Sequence, residues 1–223
     1  MNSKVLLKAI ALCVVLGSSS ASAQQSLNDQ LYIEAGVVNM KADLNINEGG
    51  ANGLNVTVDE KDSAPMFLVG YKLNDQVAIE GGIIGGVDVG ASITGNVNGR
   101  LSGRTVVANG TLTVTGESKE TYMLGGAFAV PVSESISLTG RAGMMWWDVD
   151  YYLSANVVGT IDGVAFAINE RAFLESEDGS DPYFGLGLAI NLSKKVALKA
   201  DYFRTEIDDS DVDAISLRLS YLF

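Results

Sequence analysis

The chain contains no histidine, one cysteine and three prolines in 223 residues. Without histidine it lacks the commonest general base, the usual partner of a serine nucleophile and the commonest transition-metal ligand. The single cysteine, Cys13, sits near the N-terminus, so no disulfide staples the rest of the chain. Cations are scarce: 15 Lys and Arg stand against 27 Asp and Glu, a net charge of −12. Phosphate backbones are gripped by clustered Lys and Arg, so this balance argues against a nucleic-acid partner. Beyond the N-terminus no stretch approaches 18 uninterrupted apolar residues, which excludes a membrane-spanning helix. What is present is 47% hydrophobic residues and 25 glycines. That is too apolar for disorder, and the length suits one generous all-β domain.

The N-terminus reads as a targeting segment. Lys4 and Lys8 make a positive n-region, residues 9–17 an apolar h-region, and Ala21-Ser22-Ala23 a small-residue cleavage site before Gln24. The apolar run is about half the ~20 residues a spanning helix needs. Leu12 precedes Cys13 where a lipoprotein site would carry a small residue. We therefore expect two parts: a signal peptide over 1–23 and a mature domain over 24–223. The mature domain has no cysteine and holds 13 cations against 27 acids, net −14.

From Leu31 onward the recurring pattern is alternation over roughly ten residues, broken by turn-forming clusters. It predicts eight strands, over 31–43, 64–73, 77–87, 121–132, 136–150, 182–192, 196–207 and 214–223. The connections fall into two kinds. Asn74-Asp75-Gln76, Ser133-Glu134-Ser135 and Ser193-Lys194-Lys195 are tight turns; 44–63, 88–120 and 151–181 are long, and 208–211 is short and acidic. Short turns at one end and long loops at the other are the layout of an outer-membrane barrel. The expected fold is therefore all-β: an eight-stranded antiparallel up-and-down transmembrane β-barrel, with three short periplasmic turns and long extracellular loops.

Which face is apolar separates a membrane barrel from a soluble one. One parity collects residues such as Ile33, Val37, Val69, Ile79, Leu124, Leu138, Leu186 and Leu198. The other carries Glu34, Lys72, Glu80, Arg141, Lys199, Asp201 and Arg218 among small residues such as Gly70, Gly125, Gly187 and Ala127. Aromatics on the apolar parity sort to both ends. Phe67, Tyr122, Trp146, Phe184 and Tyr202 come to the loop end, and Tyr71, Tyr221 and Phe223 to the turn end. Two belts of this kind are expected where amphipathic rings sit at headgroup level.

The C-terminal segment Ala214-Ile215-Ser216-Leu217-Arg218-Leu219-Ser220-Tyr221-Leu222-Phe223, apolar at alternate positions and ending on an aromatic, resembles the assembly signal of outer-membrane barrels. That resemblance implies recognition by the barrel-assembly machinery. The stretch Asp181-Pro182-Tyr183-Phe184-Gly185-Leu186-Gly187-Leu188-Ala189-Ile190-Asn191-Leu192-Ser193, with Val196 to Tyr202, is similar to the sixth and seventh strands of the OmpA-like and OmpX-like barrel families. The resemblance spans the mature chain in layout and these two stretches in detail. No periplasmic peptidoglycan-binding domain is read after the barrel, so a wall-anchoring role is not carried over. The OmpX-like pattern fits better and implies loops that extend the strands as a protruding sheet. Residues 55–58, 104–107, 111–115 and 155–161 have the β-branched, alternating character this needs.

Eight strands enclose space for little more than their own side chains. Glu34, Glu80 and Asp201 are then expected to share the interior with Lys72, Arg141, Lys199 and Arg218 in a salt-bridge network centred on Glu80, Arg141, Lys199 and Arg218. Buried charges persist when paired. The acidic stretches 175–181 and 208–213 offer hard oxygen ligands for Ca²⁺ or Mg²⁺; neither matches the twelve-residue calcium loop, and the expected reading is a solvated hairpin tip with no metal or cofactor. Arg204, outward near the loop-end rim, is placed to meet lipopolysaccharide phosphate. No catalytic residues are expected, since the barrel enzymes available for comparison depend on histidine. The leading expectation is a structural or surface-interaction (adhesion-like) barrel in the outer membrane, contacting lipids, lipopolysaccharide and an extracellular protein. The alternative is a narrow channel or lateral route for small or hydrophobic solutes, which similarity to OmpW-like barrels suggests.

Overall fold

The computed structural model describes residues 30–44, 49–51, 54–208 and 210–223; the proposed signal peptide lies outside them. Twelve strands occur among these residues: β1 (Leu31–Ala42), β2 (Gly49–Ala51), β3 (Leu54–Asp59), β4 (Lys61–Lys72), β5 (Val77–Ile84), β6 (Asp88–Leu101), β7 (Arg104–Ser118), β8 (Thr121–Pro131), β9 (Ile136–Ile161), β10 (Val164–Asn191), β11 (Val196–Ile207) and β12 (Ser210–Leu222). Eight of them form an antiparallel ring in the order β1-β4-β5-β8-β9-β10-β11-β12, and β12 returns to β1. The closing seam pairs Tyr32 with Leu222 and Ala42 with Val212 without a register shift. The ring is the expected barrel.

One device makes all three tight turns. Asn74 Oδ1 accepts from the backbone N–H of Gln76 at 2.8 Å and of Val77 at 2.9 Å. Ser133 Oγ accepts from Ser135 and Ile136, and Ser193 Oγ from Lys195 and Val196. Each first turn residue thus satisfies with its side chain the donors that the ladder leaves over.

At the opposite end the strands continue as the protruding sheet that the resemblance implies. β9 has 26 residues and β10 has 28, far beyond the ~10 that a tilted strand needs to cross a bilayer. Their outer halves, with β7, β6, β3 and β2, extend the same sheet beyond the ring in the order β10-β9-β7-β6-β3-β2, as an outer sheet. Its hairpins close on Ser102-Gly103 and Asp162-Gly163, where all four residues have positive φ, between 50° and 83°. Such two-residue turns match the twist of the strands they join. The acidic stretch 175–181, expected as a hairpin tip, instead lies within β10, with Glu175 opposite Tyr151 and Asp181 opposite Met145. Likewise the strand expected over 77–87 ends at Ile84.

Side chains alternate across the ring. Val37, Phe67, Leu124, Leu186 and Leu217 are exposed on its outer surface, whereas Glu34, Glu80, Arg141, Asp201 and Arg218 are buried inside. Of the belt aromatics, Phe67, Tyr71, Phe184, Tyr202, Tyr221 and Phe223 are exposed. Tyr122 and Trp146 are half-buried and stand opposite each other across β8 and β9.

Candidate functional site

The interior has two layers. Toward the turns lies a ring of charge in which each group meets an opposite one. Lys199 contacts Glu34. Glu34 Oε2 lies 3.2 Å from Arg218 Nε, and the other arm of Arg218 holds Asp201. Asp201 Oδ1 lies 3.4 Å from Arg141 Nε, and Arg141 Nη1 3.3 Å from Glu80 Oε2. Tyr32 donates its hydroxyl proton to Glu80 Oε1 at 2.6 Å. Lys199 Nζ then lies 4.7 Å above the centre of the Tyr32 ring, which closes the circuit. Thr139 adds a donor to Asp201 at 3.2 Å.

Three acids and three bases cancel. This neutrality allows side chains that are almost wholly buried to remain charged, because desolvation is offset only when every ion has a partner. Six of the seven proposed lumen residues are therefore brought together: Glu34, Glu80, Arg141, Lys199, Asp201 and Arg218. The seventh, Lys72, stands lower, lining a cavity of about 220 Å³ at the turn end that reaches up to Arg141 and Lys199.

Space for the ring comes from glycine. Gly70 lies beneath Tyr32, where a β-carbon would fall 2.0 Å from the ring's Cζ. Gly187 faces Asp201, where one would fall 2.4 Å from the carboxylate. The large inward side chains are thus accommodated by their strand neighbours having none.

Toward the loop end the lumen is apolar, a layer the sequence reading missed. Val38, Met40, Met66, Leu68, Ile84, Met123, Met145, Tyr183 and Phe203 form one buried cluster. Met66 joins the two layers, its Sδ 3.8 Å from Arg218 Nη1. The signal was available, because Met40, Met66, Met123 and Met145 share the parity of the charged residues, farther along the same strands. The flexible thioethers fill an irregular space where branched side chains would leave gaps.

Beyond the rim, carboxylates find protein partners. Arg204 points outward as expected and contacts Asp211 at 2.5 Å and Asp213 at 3.7 Å. Its guanidinium is engaged within the hairpin and stays 42% exposed at the rim. Tyr202 donates to Asp213 at 2.6 Å and Tyr151 to Asp208 at 2.5 Å. Lys119 bridges Asp148 at 2.8 Å and Asp150 at 3.2 Å. At the foot of the outer sheet, the Asp88 carboxyl is held above the ordinary carboxylate range, first by loss of hydration and then by Glu117 and Asp62. Folding therefore disfavours its charged form, a cost absent in acid that sets in as pH rises past the unfolded-state value. Asp88→Asn should stabilise the protein at neutral pH, by under ~1 kcal/mol at so exposed a site, and not at pH 3. Urea titrations at the two pH values check this.

A closed eight-stranded ring with an apolar, aromatic-bearing outside and a charge-paired inside defines an integral outer-membrane barrel protein. The family model described as "Outer membrane protein beta-barrel domain" matches residues 9–223, and the chain belongs to that family. No curated protein matches. Among solved structures, the chain is similar to the attachment invasion locus protein Ail of Yersinia pestis, crystallised with the heparin analogue sucrose octasulfate. Identity is 16% over 87% of this chain and 98% of Ail, with a TM-score of 0.45. It is also similar to OprG of Pseudomonas aeruginosa, at 12% identity over 87% and 96% of the two chains and a TM-score of 0.49. The protein resides in the outer membrane.

Proposed function

We propose that this protein is a plugged barrel with a structural or surface-interaction role, its outer sheet presenting the contact surface. The observation that carries this reading is the closed, neutral ring from Lys199 round to Tyr32, capped on the loop side by the apolar cluster. A conducting pore needs a continuous polar path, and both layers oppose one. The outer sheet offers a ladder for an extended extracellular segment. β10 pairs with β11 only from Phe184 to Asn191. Above Pro182, which has no N–H to give, its other edge has no ladder partner among the described residues. Lipid and lipopolysaccharide at the belts, and the barrel-assembly machinery at β12, complete the proposed partners. Catalysis forms no part of the proposal.

The experiment is planar-bilayer conductance of the refolded mature protein, wild type beside Glu80→Ala. A silent wild type is expected, with leak in the variant as Arg141 keeps Asp201 but loses Glu80 and the ring opens. Discrete wild-type openings would overturn the plug and favour the narrow-channel reading. The turn-end cavity, which reaches Arg141 from below, is what supports that second reading. Removing residues 98–107, which takes the tip off the β6-β7 hairpin symmetrically because Val97 faces Ala108, should weaken partner binding and leave the barrel folded.

A further inference from the structure

The outer sheet is two-faced. Its register sets Val56 beside Ile93, Ile93 beside Leu112, Leu112 beside Ala155, and Val157 beside Ile168. Residues directly opposite across a ladder project from the same face. One face therefore runs across five strands as valine, leucine, isoleucine, alanine and glycine. Its single charge in this region is Glu170, on the edge strand. The other face carries Ser92 bonded to Thr113, Thr94 to Thr111 and Asn109 to Asn96.

The usual polarity argument therefore fails outside the ring. Along β9 the ladders with β8 and β7 run without a register shift. The apolar face thus continues the side of β9 that bears Arg141 and Trp147, while the polar face continues the lipid-facing side. Val56, Ala155 and Val157 on this face are half-buried, but other apolar side chains on it stay open. Ile93, Val97, Leu112, Val114 and Ile168 are each between 42% and 57% exposed. A sheet with one apolar face ordinarily buries it against a second layer.

From this amphipathic sheet we infer that two copies of the chain pack their outer sheets together, apolar face on apolar face, as a two-layer sandwich. This deepens the surface-interaction reading and rests on it, naming a second copy as a partner. Two observations select that occupant. Each chain carries a net charge of −12, so copies can approach closely only through a surface nearly free of charge, as this one is. The size also fits. Five strands over about seven residues span roughly 24 Å by 23 Å, on the order of 550 Å² in projection. The corrugated accessible area exceeds that and nears the ~800 Å² per partner of a stable interface. Alanine and glycine alternating with larger residues give ridges and grooves that two such faces can share.

The test is sedimentation equilibrium of the mature protein in density-matched detergent, comparing wild type, Leu112→Glu and Thr111→Glu. Unboiled gel mobility confirms that each barrel is folded. Leu112 lies on the apolar face and Thr111 beside it on the polar one. A wild-type dimer is expected, with Leu112→Glu raising its dissociation constant about 100-fold, the effect of burying an unpaired charge, and Thr111→Glu leaving it within about threefold. A monomeric wild type, with detergent, lipid or another protein covering the face, would overturn the inference. So would a dimer indifferent to Leu112→Glu. A monomer whose lumen is silent and whose outer-sheet tip still binds a partner would leave the surface-interaction reading standing, so the two fail separately.

Discussion

Replacing Arg218 by alanine should destabilise the folded barrel by about 3–5 kcal/mol, because it takes from each of two buried carboxylates one of its two cations and leaves the buried ring with an uncompensated charge. Glu34 and Asp201 both hold Arg218, and both side chains are fully buried. In the variant Glu34 retains Lys199, and Asp201 retains Arg141 and Thr139, but the neutral ring becomes a net anion. Urea unfolding of the refolded protein in lipid vesicles reads the effect. A double-mutant cycle sharpens it: Asp201→Ala added to Arg218→Ala should cost less than the two singles together by more than ~1 kcal/mol, since the two groups share one network. Additive losses would mean that the ring is a set of independent contacts.

Gly36→Val should prevent closure of the barrel. A β-carbon at Gly36 would lie 2.0 Å from the Leu217 carbonyl oxygen and 2.7 Å from the Arg218 Cα, both backbone atoms of β12. Those atoms belong to the seam that closes the ring, where Gly36 faces Arg218. Backbone cannot yield as a flexible side chain can, so the expected loss exceeds ~4 kcal/mol, the range reserved for specific steric failures. Gly126→Val is the control. Its nearest atom would be the Ala78 carbonyl oxygen at 3.8 Å, and it should fold with little penalty. Loss of the compact gel mobility in the first variant, and its retention in the second, would confirm that the seam tolerates no side chain there. Equal behaviour of the two would refute it.

Much of the lumen was legible because strand periodicity is two, so one correct parity assigns every side chain to a face. Once Leu217 and Tyr221 are set outward, Arg218 and Ser220 must be inward, and the same step on β1 and β11 collects Glu34, Lys199 and Asp201. Parity does not give height along the barrel. Lys72 shares the face of Glu80 but stands near the turn, and Met66 shares it nearer the outer rim. Separating the ring from the apolar layer takes the stagger between strands, as in Gly70 facing both Tyr32 and Glu80. Tyr32 was missed for that reason: an aromatic on the charged parity becomes a proton donor to Glu80 only when three strands are aligned.

The turn chemistry divides in the same way. Asn74, Ser133 and Ser193 announce their turns locally, since each side chain bonds backbone two and three residues on. Ser102-Gly103 and Asp162-Gly163 carry equally local hairpin signals, but what they join depended on length. Residues 55–58, 104–107, 111–115 and 155–161 read as strand extensions by their alternation, but which ladder each one joins is set only by the strands beside it.

By itself, then, the sequence determined the strand count of the ring, the face each barrel residue takes and the sign of the charges inside, all consequences of an alternation that needs no knowledge of neighbours. Only the tertiary structure decided which acid meets which base, that the lumen is capped by methionine and phenylalanine, and that the outer hairpins fuse into a two-faced sheet. Those outcomes rest on inter-strand register. It is set cooperatively by backbone ladders among residues as far apart as Glu34 and Lys199, 165 positions along the chain, and no local pattern encodes it.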